Sequence, residues 1–120
     1  MSSAGANILL DGVAGYHTSK FALCRFAEYL AVDYRDRGLV VISTHPGSVL
    51  TDITAVAPPE ARQFLKDSPF LGGETLVWLA KEQRPWLSGR FVSCNWDMAE
   101  LEGKKEDIVK RDLLKFRLTI

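Results

Sequence analysis

Three groups of residues in this 120-residue chain could carry out chemistry together: Ser3, the pair Tyr16 and Lys20, and the run Pro46-Gly47-Ser48-Val49-Leu50-Thr51. Tyr16 and Lys20 are four residues apart, which puts a phenol and an ammonium on one face of a helix, a turn apart. A cation beside a phenol favours the phenolate. A free tyrosine titrates near ~10, so it needs such help to act as an acid or base near neutrality. A nearby serine hydroxyl can hold a substrate oxygen. That combination suits proton transfer to or from a carbinol or carbonyl oxygen. Each part alone is weak, because a two-residue pattern recurs by chance. Tyr16 also reads as a structural tyrosine at a helix start, Lys20 as a solvated lysine, and Pro46-Gly47 as a plain strand-to-loop turn. Ser3 is less fixed than Tyr16, because Ser2 is its neighbour.

These residues need a scaffold. The chain has 47% apolar residues, and its 15 basic and 15 acidic residues cancel. It reads as one small globular domain over residues 1–120, with no charge pattern calling for nucleic acid. Two cysteines do not make a disulfide scaffold. Cys24 falls in a helical apolar pattern and Cys94 in a strand pattern, so both read as packed thiols. No stretch has membrane-spanning length and no signal peptide is visible, which makes a reducing, cytoplasmic setting the expectation. His17 and His45 are too isolated for a metal site and read as hydrogen-bonded structural residues. Trp78, Trp86 and Trp96 read as packing residues.

Along the chain, residues 1–3 read as the stub of a strand and residues 4–14 as a glycine-punctuated loop. A long helix is expected from Gly15 to Arg37, with Leu23, Ala27, Leu30, Ala31 and Tyr34 as one apolar stripe. Phe21, Phe26, Tyr29 and Val32 spread apolar character around it, so it should be covered on more than one side. Gly38 ends it. Residues 39–44 form a continuous apolar run, as in a buried parallel strand, broken by His45-Pro46-Gly47. The loop after such a strand is where open α/β sheets bind ligands. Residues 51–59 read as a mobile stretch before a short helix over 60–66, with Phe64, Leu65, Phe70 and Leu71 lining a cover or filling a core. A helix is expected over 72–81, with Leu76, Val77, Leu79 and Ala80 inward, and a strand over 89–94. Residues 97–116 read as largely helical, with a stripe of Leu101, Ile108, Leu113 and Leu114.

The chain resembles the short-chain dehydrogenase/reductase family, and the match is to the C-terminal half of that fold. Ser3 is similar to the family's catalytic serine at a strand end, Tyr16-His17-Thr18-Ser19-Lys20 to its Tyr-x-x-x-Lys signature, and Pro46-Gly47-Ser48-Val49-Leu50-Thr51 to its Pro-Gly loop. The resemblance implies an α/β fold, the C-terminal half of a Rossmann-like, doubly wound parallel sheet. It implies NAD- or NADP-dependent hydride transfer between an alcohol and a ketone or aldehyde, with Ser3, Tyr16 and Lys20 catalytic. Tyr16 and Lys20 would also meet the cofactor, Lys20 at its ribose. Pro46, Gly47, Val49 and Thr51 would line the nicotinamide end, with Val49 and Thr51 at the carboxamide. Partners would be a small alcohol or carbonyl substrate and, through the helix from Gly15 to Arg37, a second copy of the chain. Gly5, Gly12 and Gly15 are too widely spaced for the family's glycine-rich turn, which seats the pyrophosphate on a helix N-terminus. A second reading therefore stays open: a catalytically inactive, dimerising piece of such an enzyme that binds the cofactor poorly.

Overall fold

In the computed structural model, which describes residues 1–55 and 59–118, two strands and five helices surround a small core. Strand β1 (Ser43–His45) pairs in parallel with β2 (Phe91–Ser93), with Ser43 opposite Phe91, Thr44 opposite Val92 and His45 opposite Ser93. Helix α1 (Ala14–Asp33) precedes β1; α2 (Pro59–Arg62) and α3 (Pro69–Lys81) lie in the crossover between the strands; α4 (Met98–Gly103) and α5 (Lys105–Lys110) follow β2. A parallel pair needs such a crossover, because a short hairpin turn cannot reverse the chain twice. This is a partial Rossmann-like α/β arrangement, as expected.

Both strands are shorter than the apolar runs that announce them. Residues 39–42 stay outside the regular ladder because their partner segment bends. The 3₁₀ turn Pro85–Leu87 delivers the chain to Gly89, which has φ +75°. Val41 is held there by the Ser88 hydroxyl, at 3.2 Å from its amide, and by the Gly89 amide, 2.7 Å from its carbonyl. The expected strand stub at the N-terminus contributes a single bond to the sheet, from the Ser2 amide to the Thr44 carbonyl at 2.8 Å.

Helix α1 ends four residues earlier than expected. Residues 35–37 tighten into a 3₁₀ turn, which is a common way to satisfy the last carbonyls of a helix, and Gly38 closes it in the left-handed conformation at φ +71°. The buried face of α1 is also rotated from the expected stripe. Cys24, Ala27 and Glu28 are buried and Ala31 is half-buried, while Leu23 and Tyr34 are exposed. Among the described residues no cover lies over Phe26, Tyr29 and Val32, which are exposed.

The core is Leu87, Val92, Leu101 and Ile108, with Ile42, Trp78, Leu79, Trp86, Met98, Leu113 and Leu114 packed against it. Leu87 and Val92 are fully buried, each worth about 1.5–3 kcal/mol relative to exposure. In α3 the inward face is Gly72, Thr75 and Leu79, a helical row set by the approach of Gly72 to Pro46. That phase leaves Leu76, Val77 and Ala80 exposed, against expectation, and turns Trp78 toward the core. The Arg84 guanidinium stacks 3.5 Å from the Trp78 ring centroid. Phe64 and Phe70 are exposed and fill no core. The expected helix over 60–66 is confined to α2, and the expected mobile stretch over 51–59 falls partly on residues 56–58, outside the described residues.

The charge-rich C-terminal segment is two short helices. Asp97 caps α4 by accepting from the Ala99 and Glu100 amides at 2.8 and 2.9 Å. Beyond α5, Asp112 and Leu114 take positive φ, which turns the tail back onto α1. There the buried Glu28 accepts from Arg25 at 2.8 Å, from Arg117 at 2.7 Å and from the Phe116 amide at 3.2 Å. Phe116 packs edge-on against Phe21, with centroids 4.8 Å apart. No helix among the described residues is long and apolar enough to cross a membrane.

Candidate active site

Tyr16 lies in the first turn of α1 and Lys20 in the second. The Lys20 ammonium sits 5.4 Å from the centroid of the Tyr16 ring, so the four-residue step produces the expected juxtaposition. Tyr16 is 44% exposed, which leaves its ring open to a ligand. Lys20 is half-buried and forms no ion pair among the described residues. Its charge is therefore not committed elsewhere.

Ser3 caps the 3₁₀ turn Ala4–Ala6: its hydroxyl oxygen accepts from the Gly5 amide at 3.1 Å. That turn is pinned to the start of α1 by His17. A side chain at Gly5 would place its first carbon 2.6 Å from the His17 ring and would have to push that ring aside. His17 Nδ1 is 3.0 Å from the Ile8 carbonyl oxygen, which fixes the ring across the turn. His17 is thus a hydrogen-bonded structural residue, as its isolation suggested. The serine buried against the sheet is Ser2. Its hydroxyl donates to the Lys20 carbonyl at 2.9 Å and lies 3.0 Å from Cys24 Sγ. Ser2 therefore ties the N-terminal segment to α1 at the level of Lys20, and Ser3 is the more open of the pair.

The Pro46–Thr51 loop leaves the C-terminal end of β1. Gly47 has φ +102°, a region that side chains rarely adopt, and an added carbon there would lie 3.1 Å from both Asp67 and Cys94 Sγ. The Ser48 amide donates to Asp67 Oδ2 at 2.6 Å. Thr54 organises the far end. Its hydroxyl donates to the Val49 carbonyl at 3.1 Å and accepts from the Thr51 amide at 2.7 Å. Val49 is half-buried and Thr51 exposed.

Asp67 and Asn95, which the sequence did not single out, complete the loop's surroundings. Asn95 Nδ2 donates to Asp67 Oδ2 at 2.9 Å, and this bond, with that from the Ser48 amide, holds the Asp67 carboxyl below its ordinary range. His45, the last residue of β1, is buried. Burial lowers its pKa, with Asp67 opposing, and its Nδ1 has no hydrogen-bond partner among the described residues, which departs from the expected bonded histidine. Burial, and then the Asp67 charge, pushes the Cys94 thiol up, as fits a packed thiol. No group of three His, Cys, Asp or Glu side chains among the described residues could hold a metal ion.

The site residues offer an uncommitted ammonium, an open phenol and a rigid loop with a close-approach glycine. The chain's spaced glycines supply no matching seat for a pyrophosphate.

A family model described as short chain dehydrogenase matches residues 1–62. The chain is 39% identical over its full length to short chain dehydrogenase mpl6 of Monascus purpureus, covering 41% of that protein. It is 45% identical over 89% of its length to short chain dehydrogenase pgmD of Aspergillus terreus, covering 35% of that protein. It is 34% identical over its full length to short chain dehydrogenase andI of Emericella variicolor, again covering 41%. The chain thus spans about two-fifths of the length of these curated relatives. No solved structure matches it.

Proposed function

This chain belongs to the short-chain dehydrogenase family, and from that premise we propose that it carries the proton-transfer side of an NAD- or NADP-dependent oxidoreductase site acting between an alcohol and a ketone or aldehyde. The observation that carries this reading is the Lys20 ammonium held 5.4 Å from the Tyr16 ring, beside the turn that presents Ser3. When bound, the nicotinamide supplies or accepts the hydride. Tyr16 gives a proton to the carbonyl oxygen as it becomes an alkoxide, and takes it back in the reverse direction. Lys20 stabilises the phenolate left on Tyr16 and donates to the cofactor ribose. Ser3 orients the substrate oxygen by donating a hydrogen bond to it. Pro46, Gly47, Val49 and Thr51 would hold the nicotinamide end, with the Val49 backbone and Thr51 available to its carboxamide.

We further propose a second copy of the chain as partner, docked on the outer face of α1. Phe26 and Tyr29 are 59% and 62% exposed there, with Val32 a turn away, and a row of that size on a soluble helix favours association. Light scattering on the purified protein should give the mass of a dimer; a monomer at high concentration would count against this partner.

The functional test is transfer of deuterium from a reduced nicotinamide, labelled at its hydride carbon, into a ketone by the protein at its native length. Label in the product carbinol supports the reading. A folded protein that transfers none, to a panel of ketones and aldehydes, would overturn it and favour the inactive, dimerising reading.

A further inference from the structure

The Pro46–Thr51 loop is not held by its own residues. Three elements converge on it: the end of β1, the end of β2 and the start of α3. Asp67 stands where they meet. Its carboxylate accepts from the Ser48 amide at 2.6 Å, while its own backbone amide donates to the Ser48 carbonyl at 3.1 Å. Two bonds between the same two residues fix both separation and orientation. Asn95, just beyond β2, holds the same carboxylate oxygen at 2.9 Å and thereby aims it. The next residue, Ser68, caps α3 by accepting from the Phe70 amide at 3.3 Å, so Asp67 cannot move without the helix. One turn on, Gly72 lies against Pro46 so closely that an added carbon would be 2.5 Å from the Pro46 carbonyl oxygen. Asp67 forms no ion pair with Lys or Arg among the described residues; its carboxylate hydrogen-bonds to the loop and to Asn95, and its charge is also felt by His45 and Cys94.

We infer that Asp67 is a positioning residue: acting through Ser48, and aimed by Asn95, it fixes the Pro46–Thr51 loop in the shape that receives the nicotinamide end of the cofactor. This rests on the function proposed above, but the hold on the loop can be tested without it. Gly47 takes φ +102°, one of several conformations open to glycine, so a loop freed of Asp67 has other shapes available to it. The loop's order is then a contribution to cofactor affinity, made before the cofactor arrives.

Asp67→Ala and Asp67→Asn provide the test, with two readouts on the protein at its native length. Hydrogen exchange at the Ser48 amide, without cofactor, should accelerate at least about tenfold in Asp67→Ala, the scale of a lost charge-assisted bond, while the Val92 amide stays unchanged. Asp67→Asn keeps an oxygen acceptor for Ser48 and should restore much of the protection. In turnover, Asp67→Ala should raise the cofactor KM about tenfold and change kcat less than about threefold. If Asp67→Ala does not fold, Asn95→Ala should show the same pattern at roughly threefold. Unchanged Ser48 exchange overturns the inference, as does Asp67→Asn behaving like alanine, or faster exchange with an unaltered cofactor KM. Wild-type protein without turnover, but with Ser48 exchange responding as expected, would remove the functional reading and leave the hold of Asp67 on the loop standing.

Discussion

Replacing Gly72 by alanine separates two opposed effects at the point where α3 meets the candidate site. In an ordinary helix interior, glycine to alanine stabilises by about 0.5–1 kcal/mol, because the chain loses less conformational freedom on folding. At Gly72 the new carbon would lie 2.5 Å from the Pro46 carbonyl oxygen, 3.2 Å from its Cβ and 3.3 Å from its carbonyl carbon. Those atoms belong to backbone and a proline ring, and the next residue, Gly47, is itself wedged against Asp67 and Cys94. The contact cannot relax by swinging a side chain away, and overpacking of this kind costs about 1–3 kcal/mol. The net expectation is a loss of about 1–2 kcal/mol, or a Tm lower by roughly 3–10 °C for a chain of this size. Gly73, its neighbour in the same helix, has nothing within 4 Å of an added carbon. Gly73→Ala should therefore stabilise by up to about 1 kcal/mol. Thermal melts of the two variants against wild type decide the matter. Equal stabilisation by both would refute the seating of α3 on Pro46, and with it the account of how the loop is formed.

Four further outcomes follow from the same geometry. Leu87→Ala should cost about 2–5 kcal/mol in denaturant melts, because Leu87 is fully buried in the core. Glu28→Gln should cost about 1–2 kcal/mol, since it weakens the buried acceptor of Arg25 and Arg117; the figure is discounted because both arginines are partly exposed, and limited proteolysis should show the C-terminal tail released. Asp67 has a depressed folded pKa, so its advantage over Asp67→Asn should be complete above the ordinary aspartate value near ~4 and be lost as pH falls through the lower folded value, read from melts across pH. His45 also has a depressed pKa, so stability should be full above about pH 6.5 and decline as pH falls below it, and His45→Gln should flatten that slope.

What the sequence revealed and what it concealed divide along physical lines. The Tyr16–Lys20 pairing was legible because helical periodicity alone places residues four apart on one face. The break after β1 was legible because Pro46 and Gly47 cannot continue a strand, and the closing turn at Gly38 because glycine accepts a left-handed φ, although α1 itself ends four residues before the expected Arg37. Asp67 and Asn95 were not, since Asp67 lies 19 residues from its partner Ser48 and Asn95 lies 28 residues from its partner Asp67, and only the fold brings them together. The one local signal was Ser68-Pro69, a helix start that places Asp67 at the mouth of the loop. The inward face of α3 escaped periodicity because Gly72, which carries no apolar side chain, sets its phase. The clasp of Arg117 on Glu28 joins residues 89 apart, and no local pattern announces it. The strands came out short because apolarity reports burial, while a ladder also needs a straight partner, which the bend at Gly89 denies.

The most direct measurement is the rate of carbonyl reduction by Tyr16→Phe, at native length and saturating reduced nicotinamide, beside its melting temperature and its affinity for the cofactor. Tyr16 is 44% exposed and phenylalanine keeps its ring against His17, so the variant should fold. Removal of the phenolic hydroxyl should lower kcat by about 10²–10⁴-fold, the usual worth of a general acid, while Tm holds and cofactor affinity changes far less than kcat. A variant that keeps wild-type turnover would show that the proton moves by another route and would contradict the roles of Tyr16 as general acid and of Lys20 as its stabilising cation.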